Sequence, residues 1–182
     1  MTTATQNLIE DHVHILRLTD IMVTMAEEQS KEIAHFELVI DLIRNFADGL
    51  HHAKEEDLLF PRMGEYGYSP EQGPVAVMLG EHVQGRNHVA GMVTGIEKYR
   101  EGNKDGLFEI YEHLMGYAFL LQSHISKENN VLFKMADQSF SNEDQEELLA
   151  EFEKIEANYD KAFNRESAIF KINQLAEMYL IE

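Results

Sequence analysis

Several kinds of residue and segment are missing from this chain, and each absence narrows what it can be. There is no cysteine, which excludes disulfide bonds, thiolate zinc sites and cysteine nucleophiles. There is no run of eighteen apolar residues, so we expect no membrane-spanning segment. No apolar run follows the polar stretch 1–6, so the sequence predicts no signal peptide and we expect a cytoplasmic protein.

Basic residues are also scarce, with 15 lysines and arginines against 33 aspartates and glutamates. A formal net charge of −18 repels a phosphate backbone, and we therefore expect no nucleic-acid partner. Hydrophobic residues, in contrast, make up 44% of the 182 residues, which is enough for one domain with a sizeable core.

Apolar residues recur at helical spacing almost throughout the chain, whereas alternating β-branched residues are nearly absent. The pattern predicts four long helices and two shorter ones, at about 5–28, 31–63, 75–100, 107–137, 141–162 and 167–180. Short connections favour an all-α fold, an antiparallel up-down-up-down four-helix bundle with additional C-terminal helices. Ser141 and Asp144 have the spacing of a capping box at the start of the first additional helix. We assign the bundle to residues 1–138 and expect the extension 139–182 to pack on it or to form a homodimer contact.

Ligand-type residues interrupt the apolar faces of the four long helices, at His12, His51, Glu55, His82, His124 and Glu128. His51 and Glu55 are four residues apart and share a helix face, as do the two ligand-type residues of the fourth helix. His12 and His82 lie near the starts of their helices, whereas the two pairs lie near the ends of theirs. Antiparallel neighbours therefore bring all six side chains to one level of the core.

Such a layer is unfavourable without a cation, because a buried carboxylate or imidazole needs a partner for its charge or lone pair. Nitrogen and oxygen ligands without sulfur favour iron or manganese, with zinc as a further option. Two ions fit better than one, because the two glutamates can bridge while two histidines bind each ion. The sequence thus predicts a two-metal site and leaves the choice among these metals open.

At these residues the sequence resembles the hemerythrin-like, HHE cation-binding family. The strongest matches are HHAKEEDLLFP at 51–61 and HISKENNVLF at 124–133, supported by LIEDHVHIL at 8–16 and MLGEHVQGR at 78–86. The resemblance extends over residues 8–133 and implies an oxo- or hydroxo-bridged di-iron site. Its terminal ligands would be His12, His51, His82 and His124, and its bridging carboxylates Glu55 and Glu128.

The resemblance implies a protein that binds or senses dioxygen or a related diatomic ligand such as nitric oxide. Alternatives are an enzyme or repair protein that acts on nitric oxide or peroxide, or that donates iron to iron–sulfur clusters. A structural metal bundle without redox activity is a third hypothesis. Oxygen-carrying hemerythrins have five histidines on the metals and an aspartate bridge from the last helix, whereas this sequence offers four histidines and Glu128. No catalytic residue or organic cofactor site is predicted besides the metal ligands.

The remaining candidates do not lie on the helix faces that carry the six predicted ligands. His52 and His88 are displaced by roughly a third of a turn and would reach the metals only through a local distortion such as a π-bulge. Glu56 is expected beside the layer or at the surface, and Glu81 is a candidate to hydrogen-bond a ligand imidazole. We expect His14 on a helix flank, His35 and His113 at the surface, and Tyr117 in the core.

Overall fold

The computed structural model describes residues 2–160 and 163–180, and within them the chain forms six helices and no strand. They are α1 (Ala4–Glu27), α2 (33–65), α3 (Pro74–Arg100), α4 (105–139), α5 (Asn142–Asn158) and α6 (Arg165–Tyr179). The all-α fold expected from the sequence is confirmed. The expected end of the fifth helix near residue 162 lies outside the described residues. In the described part of the chain, no helix combines the length and apolar character that crossing a membrane requires.

Two of the long helices change their winding where they carry ligand-type residues. α2 consists of α-helical Ile33–Leu42, π-helical Ile43–His52 and Glu55–Leu59, and α-helical Phe60–Glu65. α4 consists of Asp105–Lys127, π-helical Glu128–Leu132 and Phe133–Ser139. A π-helical turn, with its i→i+5 hydrogen bonds, holds more residues than an α-helical turn. The faces of α2 and α4 are therefore shifted relative to the uniform α-helices that the sequence predicts.

The shift is visible at the end of α4. A continuous α-helix through Glu128 places Val131 on the buried face, as the apolar spacing predicts. Val131 is instead 50% exposed, and Leu132 is buried in its place. The extra residue in the π-helical turn explains this difference.

Neighbouring long helices run antiparallel. α1 meets α4 through Thr5 and Asp137 at one end and through Thr19 and Gln122 further along, so rising numbers on α1 meet falling numbers on α4. The same reversal relates α1 to α2, α2 to α3, and α3 to α4. Because of this arrangement, positions near the starts of α1 and α3 lie level with positions well along α2 and α4.

The apolar core has two parts, one on each side of the ligand-type residues along the bundle. The larger cluster includes Ile15, Phe46, Met92 and Leu121, and the smaller one includes Phe133. The polar layer between them, at 12, 51–55, 82 and 124–128, is thus enclosed by apolar side chains above and below.

The extension packs on the bundle. Phe152 of α5 is part of the smaller cluster, whereas Ile172 of α6 belongs to the larger one. The capping box predicted at the start of α5 is confirmed, because the Ser141 side chain accepts from the Asp144 amide and the Asp144 carboxylate accepts from the Ser141 amide.

Candidate metal centre

All six predicted ligand residues lie together in the buried layer. Each is at most 2% exposed, and they are His12, His51, Glu55, His82, His124 and Glu128. With one further histidine, they form two groups in which the possible ligand atoms, one per residue, all lie within 4.8 Å of one another, and Glu55 belongs to both groups. The first group adds His12, His51 and Glu128, and the second adds His52, His82 and His124.

Imidazole nitrogens meet in pairs at the spacing that a shared ion requires. The Nε2 atoms of His12 and His51 are 3.0 Å apart, and those of His82 and His124 are 3.1 Å apart. Two nitrogens at right angles on one ion, with bonds of about 2.1 Å, are separated by about 3 Å. Each pair could therefore occupy neighbouring positions on one metal ion.

The outward ring nitrogens are held by carboxylates. Nδ1 of His82 lies 2.7 Å from Oε1 of Glu56, and Nδ1 of His124 lies 2.9 Å from Oε2 of Glu81. An ionised carboxylate only accepts hydrogen bonds, so each Nδ1 carries a proton and donates it. In a neutral ring the inward Nε2 then carries a lone pair, as metal-bound histidines require.

The other pair is held less uniformly. Nδ1 of His12 lies 2.7 Å from the side-chain oxygen of Asn129. Nδ1 of His51 lies 3.6 Å from Oδ2 of Asp11, which is longer than a hydrogen bond, and it has no closer partner within the described residues. Asp11 nevertheless places a negative charge behind the His51 ring.

The two glutamates are the decisive observation. Glu55 and Glu128 are fully buried, and none of their four carboxylate oxygens has a hydrogen-bond partner among the residues that the structure describes. Their nearest polar neighbours are imidazole Nε2 atoms at 3.1–3.4 Å. Buried carboxylates without partners are strongly unfavourable, and a cation between them and the Nε2 lone pairs removes that penalty. The residues present therefore fit a metal centre.

Sequence comparison agrees with this geometry. A family model described as the hemerythrin HHE cation binding domain matches residues 3–136. The chain belongs to this family. No curated protein and no solved structure matches it. Every ligand-type residue of the layer lies inside the matched region, whereas α5 and α6 follow it.

In this hemerythrin HHE domain, positive charge in the layer is favoured electrostatically. Burial lowers the pKa of His51, but the negative charges of Glu55 and Asp11 outweigh it and raise the pKa to about 10. Burial likewise lowers the pKa of His82, and its contacts with Glu55 and Glu56 raise it to about 9. Burial raises the pKa of Glu55, yet the neighbouring imidazoles hold it well below its usual range. Protons on the imidazoles thus balance the carboxylates wherever a metal ion does not.

His52 joins the layer although uniform helical spacing places it off the ligand faces, and it does so through the π-helical distortion that such a position requires. It is only 5% exposed, and its ring stacks on that of His82 with centroids 3.8 Å apart. The π-helical segment Ile43–His52 turns it inward, next to His51. Its Nδ1 lies 3.1 Å from Asp48, and burial followed by the charge of His82 lowers its pKa to about 4, so the ring is neutral. The adjacent histidines and the aspartate four residues earlier were the signals in the sequence.

Other expectations have mixed outcomes. Tyr117 lies in the core as expected, and Glu81 does bond a candidate ligand imidazole. His88 and His113 face each other with Nδ1 atoms 3.2 Å apart, outside both groups of metal-ligand atoms. His35 and His113, expected at the surface, are instead half-buried, and His14, expected on a helix flank, is also half-buried.

Proposed function

We propose that this domain holds two iron ions and binds or senses dioxygen or a related small ligand such as nitric oxide. The observation that carries the proposal is the pair of buried, unpartnered carboxylates that faces imidazole nitrogens. Glu55 and Glu128 would serve as carboxylate ligands shared by the two ions. His12 and His51 would hold one ion, and His82 and His124 would hold the other. Metal analysis would reveal manganese or zinc if either of them occupies the site instead of iron. We also propose that the protein is cytoplasmic.

Bound iron would supply reversible redox chemistry toward a small ligand. The chain's own residues hold the imidazoles with Nε2 inward and keep the carboxylates in place between them. The two apolar clusters shield the layer from bulk water, which strengthens every electrostatic interaction inside it.

His52 favours ligand binding over the enzyme and repair alternatives. Its ring nitrogen lies among the second group of ligand atoms, and we propose that it binds the same ion as His82 and His124. A five-histidine set is closer to the oxygen-carrying hemerythrins than the four-histidine set expected from the sequence.

The test is an anaerobic preparation loaded with iron, with the metal content measured and spectra recorded before oxygen, with oxygen and after its removal. We expect two irons per chain and a near-ultraviolet absorption band that appears with oxygen and disappears without it. Irreversible oxidation or turnover of nitric oxide would favour the enzyme alternative. A colourless protein that retains only zinc would favour a structural role.

Two variants test the ligand assignment. Glu128→Ala removes a proposed bridging carboxylate, so it should retain less than one metal ion per chain. His113→Ala is the matched control, because it also removes a polar side chain from α4 but lies outside the groups of ligand atoms. If Glu128→Ala still holds two ions, the bridge has been assigned to the wrong residue.

A further inference from the structure

A cavity of about 230 Å³ opens on one side of the metal layer, between α2, α3 and α4. His52 and His82 line it on the side of the layer, and apolar side chains such as Val89 form part of its wall. Asp48 and Arg86 also line it, and Arg86 is 44% exposed and ion-paired with Asp48 and Glu56. The cavity thus connects two candidate metal ligands with a charged opening at the surface.

Tyr117 in the wall of this cavity has an unexplained hydroxyl group. The side chain is 3% exposed, and its hydroxyl has no hydrogen-bond partner within 2–160 and 163–180. Buried polar groups almost always have a partner, so each exception calls for a reason. Phenylalanine would fill the same space without this penalty, which indicates that the hydroxyl has a partner outside the described residues, such as a bound ligand.

The neighbouring backbone leaves room for this ring. A Cβ atom on Gly85 would lie 3.3 Å from Cε2 of Tyr117, which is closer than about nine in ten real contacts of that kind. Glycine at this position lets the ring lie directly against α3, in the same cavity wall as His82. The Tyr117 hydroxyl and the candidate metal ligands therefore share one enclosed space.

The electrostatics of the cavity select the type of ligand. Burial, followed by the negative charge of Asp48, raises the pKa of Tyr117 well above its usual range, so the hydroxyl remains a neutral donor. Both Asp48 oxygens already accept from Arg86, and one also lies within hydrogen-bond distance of His52. Arg44 is exposed, also lines the cavity, and has no ion-pair partner among the described residues. The Tyr117 hydroxyl inside the cavity and the Arg44 guanidinium at its opening favour a ligand that accepts hydrogen bonds and carries negative charge.

We propose that the Tyr117 hydroxyl donates a hydrogen bond to a small anionic ligand held in this cavity, and that Tyr117 thereby selects which ligands bind there. This inference builds on the proposed function, because bound iron would add positive charge beside His52 and His82. Tyr117 is then a residue that positions the ligand and discriminates between hydrogen-bond acceptors and purely apolar gases.

The test uses azide as the probe and the full-length, iron-loaded protein, with metal content measured first for every sample. Tyr117→Phe keeps the ring and removes only the donor. Tyr111→Phe is the control, because it removes a hydroxyl on the same helix that donates to the backbone oxygen of Ser30, and Tyr111 does not line the cavity. Azide affinity is measured by titration, and the azide stretching band is recorded by infrared spectroscopy in H₂O and D₂O.

We expect Tyr117→Phe to weaken azide binding about tenfold, the usual effect of losing one hydrogen bond to a charged partner. It should also abolish the solvent-isotope shift of the azide band, whereas Tyr111→Phe should change neither. If wild type and Tyr117→Phe have the same azide affinity and the same azide band, the inference is overturned. The hydroxyl would then bind water rather than the ligand. Two irons per chain without azide binding would also overturn it and leave the proposed centre standing. Absence of iron would overturn the proposed function. In that case azide is titrated against the zinc-loaded protein, and weaker binding by Tyr117→Phe than by Tyr111→Phe would still support the role of Tyr117, whereas equal binding would overturn it.

Discussion

At the scale of single residues, the ligands of this layer are supported in a closed circle around the bundle. Each of the four histidines predicted from the sequence faces an outward polar residue on a neighbouring helix, and each of these polar residues is adjacent in sequence to another ligand. His52 differs, because it faces Asp48 on its own helix. The four pairs are Asp11 with His51, Glu56 with His82, Glu81 with His124, and Asn129 with His12. Every helix therefore supplies both a ligand and the residue that orients the next one. At His12, His82 and His124 such hydrogen bonds fix ring orientation and make the imidazole a stronger ligand, whereas Asp11 acts on His51 through its negative charge.

Protons and metal ions compete for the imidazole nitrogens of the layer. In the metal-free layer, His51 and His82 have pKa values of about 10 and about 9, so both rings carry protons at pH 7 that a metal ion must displace. The affinity for zinc, chosen because it has no redox chemistry, should therefore rise by about tenfold or more per pH unit between pH 6 and 8. Competition with a chelator of known affinity measures it. An affinity that does not depend on pH would contradict the protonation of these rings.

The metal-free protein should show the opposite trend. The folded pKa values of His51 and His82 lie above the value of about 6.5 expected for an unfolded chain. Their stabilising contribution is therefore complete below about pH 6.5 and is lost as the pH rises through 9 to 10. Urea unfolding of the chelated protein as a function of pH provides this measurement.

At the scale of helices, the backbones of α3 and α4 lie close together where two glycines meet. A Cβ atom on Gly95 would lie 2.8 Å from the backbone oxygen of Gly106 and 2.8 Å from Cγ1 of Ile110. Neither the backbone of α4 nor a packed isoleucine moves easily. These glycines therefore set the spacing of the two helices that carry His82 and His124.

Gly95→Ala should destabilise the protein by about 1–3 kcal/mol, because the added methyl group forces α3 and α4 apart. Gly80→Ala is the matched control in the same helix, since a Cβ atom at Gly80 meets no atom within 4 Å. This control should be neutral or stabilising by about 0.5–1 kcal/mol, as usual when alanine replaces an exposed helical glycine. Thermal unfolding of the two variants compares them directly, and equal destabilisation would contradict the close approach.

The extension is linked to the metal layer through a buried charge network. Asp11 accepts from Lys54 at 3.0 Å and from Arg165 of α6 at 2.6 Å. Lys54 is 1% exposed and also donates to Glu156 of α5. These contacts connect α5 and α6 to the aspartate that lies behind His51.

Arg165→Met should therefore cost about 1–3 kcal/mol in the free energy of unfolding, because it leaves an oxygen of a buried carboxylate without its donor. It should also accelerate metal loss to a chelator, since Asp11 is then less firmly held behind His51. Lys154→Met is the control, because the one ion-pair partner of Lys154 in the described part of the chain is Glu151 on the exposed face of α5. If the two variants lose metal at the same rate, the extension does not support the metal layer.

At the scale of the whole molecule, the polar layer divides the core into two apolar clusters. Apolar packing alone cannot compensate the fully buried Glu55 and Glu128 in that layer. A ligand that binds only the folded state stabilises it by mass action, by about 2.7 kcal/mol when its concentration is one hundred times Kd. The metal ions are therefore expected to be part of the folding energetics.

Removing the metals with a chelator should lower the midpoint of thermal unfolding by roughly 5–10 °C, given about 2–4 °C per kcal/mol for a chain of this size. The chelator should have much less effect on Glu128→Ala, which lacks a proposed bridging ligand. An unchanged midpoint in the wild-type protein would show that the layer is stable without a cation.

The sequence by itself determined the helical fold, the family and the six residues that meet in the buried layer. Helical spacing fixes which side chains share a face, and antiparallel order fixes which positions are level. Only the tertiary structure placed His52 in the layer, because the π-helical winding of Ile43–His52 depends on packing across the bundle rather than on local propensity. The circle of supporting residues, the cavity beside Tyr117 and the contact of Arg165 with Asp11 were likewise decided by tertiary contacts. Each joins residues on different helices, and no periodic pattern within one helix specifies such a contact.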